Sequence, residues 1–234
     1  MGRHFDNELR DLKFGLLAMA GQVEEMIGLT CQALLERSNA KVEEVHTLDQ
    51  GVDEMEIRLD QACIDLLALR APIATDLRIV ASALKIVPEL ERIGDHCCNI
   101  CRRARLLNAQ PPILNGDLLE RLGAETHGMV KRAVDAFVEG DAAAARAVIA
   151  DDDRVDALYL QIFGELLRLM LADLDRRPAG ETPAQAQDRL SSISSLERAR
   201  VLEAARAAEA RAQEIREALR RKAAQEGADK WARE

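Results

Sequence analysis

Glu91 and Asp95 stand four residues apart in Leu90-Glu91-Arg92-Ile93-Gly94-Asp95, inside a long apolar run of helical type from Thr75 to Leu107. At that spacing two side chains share a helix face, about one turn apart. Carboxylates so placed repel by about 0.2–0.5 kcal/mol on an exposed helix and by more where half-buried, so a cation is expected beside them. Arg92 is one candidate; a bound metal ion is the other. Asp49 and Asp53 have the same spacing, and so do Asp152 and Asp156, which follow them by 103 residues. Carboxylates clustered without histidine or thiolate are hard oxygen ligands, suited to magnesium, calcium, manganese or ferric iron more than to zinc. Two facing helices, each with an acidic i, i+4 pair, could hold one or more ions. The candidate first-half metal site is Asp49, Asp53, Glu91 and Asp95, with Glu56 in reserve. Its counterpart is Asp152, Asp156 and Glu197, where Val201 occupies the register of Asp95 and leaves that set a ligand short.

Other chemistry finds little footing. Cys97-Cys98-Asn99-Ile100-Cys101 holds a lone C-x-x-C with no second pair at zinc-finger spacing. On a helix it reads as small apolar packing, with a redox role open because Cys98 and Cys101 share a face. His96 adjoins Asp95 and so faces elsewhere; His4, His46 and His127 read as surface or packing residues. A carboxylate di-iron bundle would need two Glu-x-x-His motifs on separate helices, and only Glu43-Glu44-Val45-His46 fits. No nucleophile–base pair, P-loop or dinucleotide fingerprint appears, so no enzyme is expected.

The elements that must position the carboxylates are helices. Between Phe5 and Arg37, apolar residues recur every seven positions in two series, Leu9, Leu16, Val23, Thr30 and Leu12, Met19, Met26, Ala33. That is the seam of a helix in a bundle. A second helix, about 41–69, repeats it with Val45, Val52, Leu59, Leu66 and Leu48, Met55, Ala62, Leu69, flanked by an acidic stripe of Asp49, Asp53, Glu56 and Asp60. Ser38-Asn39 is expected to cap it, and Arg70-Ala71-Pro72 to end it. The third, about 73–108, is apolar around much of its girth and is expected to sit centrally, kinked at Pro88. After a Pro111-Pro112 linker come helices at about 117–139, closed by Gly140, and 141–176. A last one starts near Thr182-Pro183.

The 103-residue offset also relates Met26 to Met129 and Ala33 to Ala136, and Leu90-Glu91-Arg92 recurs as Leu196-Glu197-Arg198. A period this long marks a duplicated domain rather than a solenoid unit. The expected fold is all-α, six helices in two pseudo-repeated antiparallel three-helix bundles, residues 1–110 and 117–234, the second diverging from about 197.

Composition agrees. Aromatic residues are 3 % against 48 % hydrophobic, which favours helices packed on helices over sheets. A net charge of −9 argues against a nucleic-acid surface. No apolar run reaches 18 residues and the first eleven positions carry no h-region, so neither a membrane span nor a signal peptide is expected. The five cysteines read as reduced thiols of a cytoplasmic chain.

Arg70-Ala71-Pro72-Ile73-Ala74-Thr75-Asp76-Leu77-Arg78, then Leu84-Lys85-Ile86 and Leu90-Glu91-Arg92-Ile93-Gly94-Asp95-His96, resembles the signature of the phosphate transport regulators of the PhoU family. The Asp-x-x-x-Asp pairs at Asp49 and Asp152 fit it too, over about residues 5–198. The resemblance implies two three-helix bundles side by side. It implies multinuclear metal clusters, iron or zinc among them, on the Glu/Asp-x-x-x-Asp motifs. It also implies a homo-oligomeric negative regulator, without enzymatic turnover, that links a phosphate ABC transporter ATPase to a sensor histidine kinase. The alternative is a helical adaptor indifferent to metal. The chain departs from the signature at Pro88 and after Arg198, where Ala199-Arg200-Val201 replaces Ile-Gly-Asp and an Ala/Arg/Glu-rich tail follows. A frame shift or a degenerate paralogue would account for that departure.

Overall fold

A computed structural model describes residues 2–110 and 116–175, and beyond them only 182, 185, 200, 203, 204, 206, 207, 210 and 211. The described chain is helical, without a strand: α1 (Gly2–Leu35), α2 (Asn39–Arg70), α3 (Ala74–Leu107), α4 (Asp117–Glu139) and α5 (Ala142–Asp175). No described helix is long and apolar enough to cross a membrane. Five helices are described where six were expected. The sixth begins on residues of which Thr182 and Gln185 alone are described, and these cap reciprocally: Gln185 N–H donates to Thr182 Oγ1 (3.3 Å) and Thr182 N–H to Gln185 Oε1 (3.0 Å). The Pro111-Pro112 linker, Pro183 at N1, Glu197 and, in the departure after Arg198, Ala199 and Val201 lie outside the described residues.

The chain divides into two compact units, Met1–Pro112 with Gly123–Ala150, and Ile113–Leu122 with Asp151–Glu234. In the first, α1, α2 and α3 pack pairwise on one another. Both α1 series form the core: Leu12, Leu16, Met19, Val23, Met26, Thr30 and Ala33 are buried, and Leu9 packs against them. From α2 the Val45, Val52, Leu59, Leu66 series is buried. Its companion series fades along the helix, from half-buried Leu48 and Met55 to Leu69, which is 72 % exposed.

The third helix is one rod of three rather than a central one. Val80, Val87 and Leu90 are buried, while Ile79, Ile86 and Ile93 are half-buried and Ile100 is exposed. A helix with two neighbours keeps part of its girth in solvent whatever residues lie there. It runs as one assigned element through Pro88. From α4, Val130, Val134, Phe137 and Val138 add to this core.

The helix ends follow local chemistry. Ala71, before Pro72, leaves the helical region for φ 45°. Ser38 holds the N-cap position of α2 with extended backbone but makes no capping bond, contrary to expectation. Gly140, at φ 73°, closes α4 with paired bonds, Asp141 N–H to Ala136 O (2.8 Å) and Gly140 N–H to Phe137 O (3.2 Å), the Schellman pattern. The second unit holds the later turns of α5, with Leu158 and Ile162 buried and Tyr159 stacked on Phe163, centroids 6.3 Å apart.

Candidate metal centre

The acidic stripe of α2 and the Glu91/Asp95 pair of α3 face one another. Burial lifts the Glu91 carboxyl above the usual range, and Asp95, Glu56, Asp53 and Asp49 add to the lift. Burial likewise raises Asp53, reinforced by Asp49 and Asp95. Groups that perturb one another in this way share one patch. The expected four are therefore brought together, and Glu56, held in reserve by sequence, joins them. Asp49, Glu56 and Glu91 are half-buried, Asp53 and Asp95 exposed.

Two α3 residues lie against Asp49. Gly94 is buried, and a Cβ there would stand 3.4 Å from Asp49 Oδ1, so the α3 backbone passes close to that carboxylate. The Cys98 thiol lies beside Asp49; burial first, then the neighbouring Asp49 carboxylate, hold it well above the ordinary thiol range. Sequence reasoning missed Cys98. Its signal was the run Glu91, Asp95, Cys98 at i, i+4, i+7, one helical stripe.

Arg92 is not the compensating cation. Its guanidinium lies 3.7 Å from Glu89 in solvent, because residue i+1 projects about a quarter-turn away. His96 is exposed. His127, read as a surface or packing residue, is part-exposed and stands 3.9 Å from Glu24 of α1. Cys97, Cys98 and Cys101 are buried; burial above all lifts Cys97 to about 11, and Thr30 opposes it. Protonated, buried thiols are poor nucleophiles and poor metal ligands, so packing is the role the C-x-x-C plays.

The donor set is the hard-oxygen kind that suits a metal ion, and it is electrostatically uncomfortable without one. Even so, among the described residues no group of three or more His, Cys, Asp or Glu side chains is already arranged to hold an ion. Binding would need these carboxylates to change rotamer. Of the second set, Asp152 and Asp156 lie exposed on α5, and Glu197 lies outside the described residues.

A family model described as "PhoU domain" matches the chain twice, at residues 16–104 and 119–203. The phosphate-specific transport system accessory protein PhoU homolog of Pseudomonas aeruginosa is 34 % identical over 174 residues, 74 % of this chain and 72 % of that protein. The Aquifex aeolicus homolog is 37 % identical over 169 residues, 71 % and 75 % of the two chains. For Escherichia coli PhoU the figures are 33 % over 171 residues, 72 % and 70 %. Among solved structures, PhoU of P. aeruginosa aligns with TM-score 0.58 at 27 % identity, over 92 % of this chain and 99 % of that one. The phosphate transport system regulatory protein PhoU of Streptococcus pneumoniae aligns with TM-score 0.64 over 90 % and 94 %, and at 22 % identity it speaks to fold alone.

Proposed function

The chain belongs to the PhoU family, and from that premise we propose that it is a negative regulator of phosphate uptake, joining a phosphate ABC transporter ATPase to a sensor histidine kinase in the cytoplasm. The doubled match of the PhoU domain supports an accessory role in phosphate transport. In this reading the chain has no turnover of its own, acts as a homo-oligomer, and completes a second three-helix bundle with the helix that follows Thr182. Phosphate-replete cells provide the test. A tagged chain should co-purify with the ATPase and the kinase, and deleting the gene should switch starvation genes on; recovering neither partner overturns the reading.

The observation that supports metal in this role is the shared patch of Asp49, Asp53, Glu56, Glu91 and Asp95. An ion bound there would supply the positive charge the five carboxylates lack. The residues' own part is to bring donors from α2 and α3 to one place, with Gly94 and Cys98 packed beside Asp49. Metal analysis of purified protein should find bound iron, zinc or another ion in the wild type and its loss in Asp49→Asn/Glu91→Gln. The absence of a ready-made three-ligand group favours the second reading, a metal-independent helical adaptor, and protein without metal in either form would establish it.

A further inference from the structure

The α2 seam comes apart toward its C-terminal end. At positions 62 and 69 of the fading series stand a small Ala62 and an exposed Leu69, and between α1 and α2 a groove of about 280 Å³ opens there. Its walls are apolar, Leu12 from α1 and Leu59, Ala62 and Leu66 from α2. The volume lies at the small end of ligand pockets, about 300–1,000 Å³, and suits one or two side chains better than a whole small molecule.

The rim is acidic. Glu8, Asp11 and Asp65 line it, with Arg70 the one basic residue. Arg70 is engaged already: Nε and Nη2 grip the two oxygens of Glu8 at 2.8 and 2.7 Å, the bidentate geometry that fixes a guanidinium. Among the described residues Asp65 accepts only from the neutral amide of Gln61, at 2.9 Å, and Asp11 has no cationic partner. An apolar slot with two such carboxylates at its mouth calls for a complement of apolar anchors flanked by positive charge. No strand edge among the described residues offers β-augmentation, so the matching mode is a helix in a groove.

We propose that this groove docks a short basic amphipathic helix of a protein partner, its Leu- or Ile-type side chains over half-buried Ala62 beside the exposed Leu69 and its Lys or Arg side chains on Asp11 and Asp65. The proposal deepens the regulatory reading, on which it rests for the existence of a protein partner, by naming the surface and the chemistry of the segment it takes.

A synthetic peptide of about 14 residues, roughly four helical turns, with leucine on one face and lysine on the other, is the probe. Its affinity for the full chain is read by fluorescence anisotropy. Ala62→Trp, which fills the slot, and Asp11→Lys should each weaken binding about tenfold or more. Glu44→Lys, the same charge change at an exposed position of α2 away from the groove, should leave it within about twofold. A counterpart peptide with glutamate for lysine should not bind. The proposal is overturned if Glu44→Lys weakens binding as much as Asp11→Lys, which would mean a diffuse charge effect, or if folded Ala62→Trp binds as the wild type does. It is also overturned if Ala62→Trp dissociates an oligomer in sedimentation, which would assign the groove to a second copy. Should Ala62→Trp fail to fold, the paired lysine variants decide. The assay contains no phosphate system, so its failure leaves the regulatory reading standing, and a failed pull-down leaves the groove standing.

Discussion

Gly94 and Asp49 are in close approach: a Cβ on Gly94 would stand 3.4 Å from Asp49 Oδ1 and 3.4 Å from Met26 Cε. The glycine of the Glu-Arg-Ile-Gly-Asp segment thus joins the acidic patch to the α1 core. One methyl at that distance is in ordinary contact, and alanine gains up to about 1 kcal/mol of helix propensity over glycine. Gly94→Ala should therefore fold with stability within about 1 kcal/mol of wild type. Gly94→Val adds two branches that must push Asp49 or Met26 aside, and should cost about 1–3 kcal/mol. Urea unfolding checks both; equal stability of the alanine and valine forms would deny the close approach.

Glu91 gives the patch a pH signature. Its carboxyl titrates higher folded than free, through burial first and then Asp95, Glu56, Asp53 and Asp49. Protonation therefore favours the folded chain. That favour is fully present below the unfolded value, about 4.3, and is lost as pH rises through the higher folded value. At neutral pH the ionised group opposes folding. With chelator present, Glu91→Gln should stabilise the protein at pH 7 by about 0.5 kcal/mol, the scale of a like-charge helix pair, and the gain should vanish below about pH 4. With metal saturating, the sign should reverse, because an ion that binds only the folded state stabilises it and glutamine weakens the site. Denaturation at both pH values, with and without metal, reads all of this; a variant that destabilises in chelator contradicts the crowded patch.

Much of this was legible before the coordinates because it is local or periodic. The α1 seam follows from seven-residue recurrence, and Leu16, Met19, Val23 and Met26 are fully buried as it requires. The facing of α2 and α3 carboxylates follows from two i, i+4 pairs on antiparallel neighbours. What failed depended on neighbours that a sequence does not name. Ile79, Ile86, Ile93 and Ile100 suggested a central helix, but α3 has too few neighbours to cover them. Leu69 keeps the seam period yet stays exposed, on the wall of a groove between α1 and α2. Cys98 read as packing, with a redox role open, and it is buried, but its place beside Asp49 depends on the α2–α3 register. Arg37 gave no signal at all, since its partners lie about seventy residues away.

Arg37 ends α1 with left-handed backbone, φ 57°. The Ser38 N–H bonds to Ala33 O at 3.2 Å, so arginine holds the position where glycine is the usual occupant. Its guanidinium caps the carbonyl end of α3, Nη2 donating to Leu107 O (2.9 Å) and Asn108 O (2.8 Å), where a cation also meets the negative end of the helix dipole. Backbone strain and side-chain gain thus oppose each other, and two substitutions separate them. Arg37→Ala loses the clamp and keeps the strain; Arg37→Gly loses the clamp and relieves it. The alanine form should be the less stable of the two by about 1 kcal/mol, and both should be less stable than wild type. A glycine form no better than the alanine form would show that the left-handed backbone costs nothing there.

Asp141 supplies the opposite pH response from Glu91. It follows Gly140 and caps α5, its Oδ1 accepting the N–H groups of Ala143 (2.8 Å) and Ala144 (2.9 Å). Those two bonds, Ala144's first, hold its carboxyl below the usual range against the opposing effect of burial, with a lesser pull from Arg146. The folded value lies below the unfolded one. Its contribution is therefore present above about pH 3.9 and is lost as pH falls through the lower folded value. Asp141→Ala should lower the melting temperature at pH 7 and converge with wild type in acid, whereas Asp141→Asn, which keeps an accepting oxygen without charge, should fall between them at pH 7 and lose the steep acid dependence. Melting curves from pH 7 to about pH 3 follow the two variants. If the aspartate-to-alanine difference stayed constant across that range, charge at the cap would play no part.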